Sequence, residues 1–205
     1  MGIVLQNILE IPSFRGTFNG DREGVLDYLK VIGEDHSNRK TKDATDVRFQ
    51  DHELPESSAR KGGAVYELVT EITNSLGEYL GCNDMGWWNP WTIINKPGEQ
   101  VYPHNHNDGP HDWSCVYWAD VPEGSGMLEF YPFGLQSGSF PTMASPTKSG
   151  DYLIFPGWIL HGVRQNCSKR NRVSMSMNMK AVWNEPPPQD QPMPNTRLPI
   201  GPIDY

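Results

Sequence analysis

The chain is short of cysteine, short of positive charge and without any long apolar run. Its three cysteines, Cys82, Cys115 and Cys167, are scattered over 205 residues. An odd number at wide spacing excludes a disulfide framework and the paired cysteines of a structural zinc site. A reducing cytosol suits them. Lys and Arg number 17 against 25 Asp and Glu, a net charge of −8 and a pI near 5.2. Such a field repels phosphate backbones, and the densest basic run, Lys169-Arg170 with Arg172, is too small to reverse it. Nucleic acid is therefore not an expected partner. No stretch reaches the ~20 apolar residues that cross a bilayer. The opening MGIVLQNILEIPSF lacks the basic n-region and small-residue cleavage site of a secretory signal. These features predict a cytoplasmic protein with no membrane partner.

Large rings are abundant: 11% of the chain is aromatic, with seven Trp. That composition belongs to a folded chain. The length predicts one domain over 1–183, with an N-terminal strand and helices over 1–86 and a core over 87–183. The remainder, 184–205, carries seven prolines. It reads as an extended tail, because proline is excluded from helix and from central strands.

Residues 3–12 are rich in apolar side chains and end at Pro12, which predicts an edge strand. Asp21 opens a helix whose stripe is Val25, Leu26, Leu29 and Ile32. Residues 36–60 show no sustained period and read as a long loop. Gly63–Leu80 is the clearest helix. Val65, Leu68, Val69, Ile72, Leu76, Tyr79 and Leu80 keep the helical period, and Gly81 is a good stop. Nothing chemical lies on its stripe, so it should pack on the outside of a sheet. From Trp87 onward the pattern changes to short runs at 87–95, 100–106, 113–120, 126–131, 151–155, 159–165 and 171–181. Turn signals separate them at Lys96-Pro97-Gly98, Pro122-Glu123-Gly124, Ser149-Gly150 and Pro156-Gly157. Helices followed by many short strands predict an α+β fold, two helices buttressing a jelly roll.

The chemistry concentrates between Gly98 and Asn178. Along a strand, i and i+2 share a face. His104, His106 and Asp108 can therefore point the same way, and one such pair can take two adjacent positions on a metal ion. His161 is the histidine available from the second half. Two imidazoles and a carboxylate with open positions suit non-haem Fe(II). Three imidazoles, His104, His106 and His161, would suit zinc or a cupin-type site. His111 and Asp112 are further candidates if the loop folds back. From Arg172 to Lys180, polar residues alternate strictly with apolar ones. Val173 and the methionines can face the helices, which turns Arg172, Ser174, Ser176 and Asn178 into the barrel. A buried, unpaired guanidinium is costly, and a bound carboxylate repairs it through a bidentate pair. A hairpin centred between Asn166 and Cys167 would set His161 opposite Arg172, with Cβ atoms ~5 Å apart.

The motifs WTIINKPGEQVYPHNHND, SCVYWADVPEGSGMLEFYP and GDYLIFPGWILHGVRQN, the last followed by NRVSMSMN, resemble those of the Fe(II)/2-oxoglutarate-dependent oxygenases. Within that superfamily they look most like the small bacterial and viral proteins related to prolyl hydroxylases. The resemblance covers about half the chain, from Trp87 to Lys180. It implies a double-stranded β-helix, iron on His106, Asp108 and His161, and 2-oxoglutarate held by Arg172 and Ser174. The interval from the Pro97-Gly98 turn favours His106 over His104 as the first ligand, while His-x-His relatives keep His104 open. Asn95, Tyr102 and Trp118 are candidates to line the cosubstrate pocket. Trp118 stands where the family often has a tyrosine, and so does Lys96.

The implied reaction hydroxylates a C–H bond of a small molecule or peptide, prolyl or otherwise. O₂ is consumed, succinate and CO₂ are released, and ascorbate is a candidate reductant. The place of action would be the cytoplasm, or the host's if the chain is virus-encoded. Two other readings stand beside it: a cupin-like three-histidine enzyme without 2-oxoglutarate, and a non-catalytic jelly-roll binding module.

Overall fold

The computed structural model describes residues 11–35, 45–48, 63–87, 90–106, 112–131 and 148–183. The elements run β1 (Phe14–Thr17), α1 (Arg22–Asp35), β2 (Thr45–Arg48), α2 (Ala64–Leu80), β3 (Asp84–Trp87), β4 (Trp91–Asn95), β5 (Val101–His104) and β6 (Trp113–Asp120). They continue with β7 (Leu128–Phe130), β8 (Asp151–Pro156), β9 (His161–Val163) and β10 (Arg172–Val182). Two antiparallel sheets result. The larger has the order β1-β8-β6-β10-β4-β2, with β3 also paired to β10, and the smaller has the order β5-β9-β7. This is the two-sheet jelly roll with two buttressing helices that the patterning predicts.

The long strand β10 lies at the centre and has two different faces. Val173, Met175, Met177 and Met179 are all buried in one core with Val25 and Leu29 of α1 and Leu68, Ile72 and Leu76 of α2. Thus the apolar half of the alternation meets the helices, as expected. On the other face Arg172, Ser174 and Asn178 are also buried. That face looks into the space between the sheets, where Val116, Trp118, Leu128, Leu153, Phe155, Ile159 and Val163 form a second, smaller core.

Turn chemistry agrees with the glycines. Gly98, Gly124 and Gly150, one in each of three turn signals, have positive φ, a region open to glycine at no steric cost. Gly81 closes α2 in the left-handed conformation, its N–H donating to the Glu78 carbonyl. Gly162 has a different reason. A Cβ there would lie 2.9 Å from the Val101 carbonyl oxygen, so only glycine lets β9 approach β5 this closely.

Three expectations need correction. The segment 36–60 is not all loop, because Thr45–Arg48 forms β2 and pairs with β4. Tyr79 is not on the buried stripe of α2: it is exposed, with its ring edge-on to Phe14 at 4.7 Å. The segment expected as one strand over 87–95 is two, β3 ending at Trp87 and β4 beginning at Trp91. The proposed strand at 3–12 falls mostly, and the proline-rich tail entirely, outside the described residues. The division into a domain over 1–183 and a tail stays an expectation. Among the described residues, no helix is long and apolar enough to cross a membrane.

Two outcomes follow from this packing. Met177 is fully buried between sheet and helices, so Met177→Ala should cost about 2–5 kcal/mol in denaturant unfolding. Cys115 is buried and its thiol pKa is pushed up by that burial, whereas Cys167 is exposed. A thiol reagent should label Cys167 in the native protein and reach Cys115 only on unfolding.

Candidate metal and cosubstrate site

Two strands of the small sheet carry the first pair of candidate ligands. His104 ends β5 and His161 begins β9, and the two are direct cross-strand partners. Their ring centroids are 4.5 Å apart. His106 follows two residues on, its backbone N–H donating to the Gly157 carbonyl at 2.8 Å. That bond ties it to the turn that leads into His161. The ring of His106 lies 5.2 Å from those of both His104 and His161. One nitrogen from each of the three imidazoles can be chosen so that all lie within 4.8 Å of one another. Such a cluster suits an ion in the Fe, Ni, Cu and Zn group.

The protonation pattern favours coordination as well. His104 Nδ1 lies 2.8 Å from the Tyr102 carbonyl oxygen, and His161 Nδ1 lies 2.9 Å from that of Ile159. A carbonyl only accepts, so Nδ1 carries the proton on both rings and Nε2 keeps its lone pair. Metal-binding histidines are commonly oriented this way. Burial beside Phe155, with the neighbouring rings of His104 and His106, lowers the His161 pKa to about 3. The ring is therefore neutral, and available to a cation, at any physiological pH.

Arg172 opens β10 on the large sheet. It is one of the most deeply buried side chains in the protein, at 1% exposure. Its cross-strand partner is Asn95, whose Oδ1 accepts from Nη1 at 3.3 Å. The guanidinium Nε and Nη2 have no partner, and neither do Asn95 Nδ2, Trp118 Nε1 and Ser174 Oγ. Ser174 pairs with Trp118 on β6, so these groups belong to one patch of the interior face. Four are obligate donors and the fifth can donate. Burial lowers the Arg172 pKa to about 10, which leaves it charged at neutral pH. No described carboxylate is in salt-bridge range of it. A buried cation ringed by idle donors calls for a ligand that only accepts, and a carboxylate is such a group.

The two halves do not meet as the hairpin geometry predicts. β9 and β10 are not paired: β9 lies in the small sheet and β10 in the large one. His161 faces His104 and Phe130, and Arg172 faces Asn95. The connection between them crosses from sheet to sheet. Asn166, 1% exposed, organises that crossing by donating to the carbonyls of Asn95 and Arg170 while its Oδ1 takes the Ser168 N–H and hydroxyl. The histidine cluster and the guanidinium thus sit on opposed sheets, facing a shared interior.

Most of the residues singled out from the sequence are gathered here: His104, His106, His161, Arg172, Ser174, Asn95 and Trp118. Tyr102 is not. Its side chain is 53% exposed and lines a groove with Glu129, Tyr131 and Arg164; its contribution is the carbonyl that holds His104. Asp108 and His111 lie outside the described residues. Asp112 contributes backbone contacts, to Met179 and Gly157. The sequence reading missed Trp91, whose ring centroid is 5.9 Å from that of His106, and Ser114, which donates to Asn178 Oδ1 at 2.8 Å. Trp91 shares a face with Asn95, and Ser114 with Trp118, so alternation alone could have found both.

Residues 89–178 match the model of a family described as "Putative 2OG-Fe(II) oxygenase". No curated protein matches the chain significantly. Among solved structures, the chain is similar to the viral collagen prolyl hydroxylase from Paramecium bursaria chlorella virus-1. They are 15% identical over 88% of this chain and 97% of that one, with a TM-score of 0.57. A prolyl-4-hydroxylase from Pseudomonas putida is 15% identical over 83% and 93%, with a TM-score of 0.53. A non-heme alpha-ketoglutarate-dependent carbocyclase from nogalamycin biosynthesis is 12% identical over 83% and 80%, with a TM-score of 0.63. At such identities these likenesses show the double-stranded β-helix fold. The family match, set on that fold, makes the stretch 89–178 of this chain similar to the Fe(II)/2-oxoglutarate-dependent oxygenases.

Proposed function

We propose that this chain is an Fe(II)- and 2-oxoglutarate-dependent oxygenase that hydroxylates an aliphatic C–H bond in an amino-acid residue, and that a prolyl peptide is the first substrate to try. The observation that carries the cosubstrate half of this reading is Arg172, a buried guanidinium with two idle nitrogens. The choice of a prolyl peptide rests on the fold shared with two prolyl hydroxylases. The carbocyclase shares that fold too, so substrate is a separate question from architecture.

His104, His106 and His161 would hold the iron, and Arg172, Ser174, Asn95 and Trp118 would hold the far carboxylate of 2-oxoglutarate. When bound, iron, 2-oxoglutarate and O₂ together supply the oxidising equivalent for hydroxylation, with release of succinate and CO₂. The chain's own contribution is orientation and exclusion of water. His161 is backed by the Phe155 ring at a centroid distance of 4.7 Å, which keeps that side of the centre dry. Trp91, beside His106, is placed to meet a substrate ring. The cupin-like alternative gives Arg172 no task, and a bare binding module gives none to the imidazoles.

A second ligand set is favoured by the usual preference of ferrous oxygenases for two histidines and one carboxylate. In it Asp108 stands with His106 and His161, and His104 is a neighbour. Cobalt or iron titration separates the two sets. His106→Ala and His161→Ala should abolish tight binding under either. His104→Ala should do so only under the first, and Asp108→Ala only under the second.

Anaerobic addition of Fe(II) and then 2-oxoglutarate should produce a visible metal-to-ligand charge-transfer band, and a prolyl peptide should accelerate succinate release. Iron binding with no band and no succinate would sink the proposal. Arg172→Leu should weaken 2-oxoglutarate about 100-fold, the order expected for charge-assisted hydrogen bonds in a buried site. The same variant removes an uncompensated buried charge, so without cosubstrate it should melt no lower than wild type. With 2-oxoglutarate present the order should reverse, because only wild type gains from the ligand.

A further inference from the structure

His106 is held differently from its two neighbours. His104 and His161 each present Nδ1 to a backbone carbonyl, which fixes the proton there. Nδ1 of His106 lies 3.4 Å from the side-chain amide of Asn178. An amide has a donating end and an accepting end, so it can serve either tautomer of the ring. Asn178 is 7% exposed, on the interior face of β10. Its cross-strand partner is Ser114 on β6, 2% exposed, whose hydroxyl is 2.8 Å from Asn178 Oδ1.

We propose that Asn178, steadied by Ser114, is a positioning residue that selects the His106 tautomer needed to hold the metal. This rests on His106 being a ligand, as argued above. With Oδ1 toward Ser114, the amide nitrogen donates to His106 Nδ1. The proton of a neutral ring then sits on Nε2, the nitrogen left for a metal, and coordination there is blocked. Turning the amide by half a revolution brings Oδ1 to Nδ1 and the NH₂ to Ser114. The ring proton moves to Nδ1 and the Nε2 lone pair is freed. Oxygen and NH₂ are nearly the same size, so the turn needs no repacking. A serine hydroxyl accepts as readily as it donates, so Ser114 satisfies both orientations. Metal loading is in this way coupled to the amide of a residue that does not touch the metal.

Cobalt(II) is the probe, since its visible ligand-field spectrum reports the nitrogen donors directly. The full chain is stripped of metal and titrated as wild type, Asn178→Leu, Asn178→Asp and His106→Ala. Asn178→Leu should weaken Co(II) ten- to a hundredfold, the usual effect of losing a ligand's supporting partner. Asn178→Asp offers only acceptors, forces the proton onto Nδ1, and should bind at least as tightly as wild type. A merely structural asparagine would not rank the two variants in this order. Wild-type affinity in Asn178→Leu, or equal weakness in both, overturns the proposal. If the leucine variant fails to fold, nitrogen-15 histidine NMR of the Zn(II)-loaded wild type decides. A His106 proton on Nδ1 supports the proposal, and one on Nε2 ends it. His106→Ala separates the two levels. If it binds Co(II) like wild type, the ligand assignment itself is wrong. If it loses Co(II) while Asn178→Leu does not, only the role of Asn178 falls.

Discussion

A guanidinium taken out of water without a counter-charge is the constraint on which this structure turns. Arg172 sits at the head of the central strand, 1% exposed, and folding must place it there because its strand also carries the methionines that seat both helices. The alternation of β10 allows no other choice. Slipping the register by one residue would drive four apolar side chains into a polar interior and a charge into the helix interface. The helices therefore do more than cover a sheet. By burying Met175, Met177 and Met179 they force the opposite row, Arg172, Ser174 and Asn178, inward. That row then runs from the buried guanidinium to the histidine cluster, which Asn178 reaches through His106.

The two sheets divide the labour. The small sheet supplies His104 and His161 from adjacent strands, and the large sheet supplies the charged and hydroxyl donors. Each group is fixed by its own ladder of backbone hydrogen bonds, so the separation of imidazoles and guanidinium depends on how the sheets are held together. The crossing after β9 does part of this through Asn166, whose buried amide donates to the Asn95 carbonyl at the end of β4 and to the Arg170 carbonyl just before β10. The bond from His106 N–H to the Gly157 carbonyl does another part. With His104, His161, Arg172 and Ser174 on strands, most of the site keeps its geometry at small entropic cost. It also leaves the substrate side to be varied without disturbing the centre, which fits a fold shared by prolyl hydroxylases and a carbocyclase.

What the sequence by itself determined is the part governed by period and turn chemistry. Alternation from Arg172 to Lys180 announced both faces of β10. The heptad-like stripe from Val65 to Leu80 and its Gly81 stop announced α2. The glycines at 98, 124 and 150 marked the turns they occupy. The motifs carrying His106, His161 and Arg172 were legible because i, i+2 spacing and local strand order are properties of the chain alone. Trp91 and Ser114 were within reach of the same rule.

What only the tertiary structure decided is whatever depends on which strands become neighbours. A hairpin between His161 and Arg172 was locally reasonable, yet the chain crosses to the other sheet, because β10 gains more from pairing with β6 and β4 than from folding back on the three-residue β9. That crossing set His161 beside His104, gave the histidine cluster its third imidazole, and brought Asn178 to His106 from 72 positions away. Periodicity tells a residue which way to face; only the pairing of distant strands tells it what it will find there.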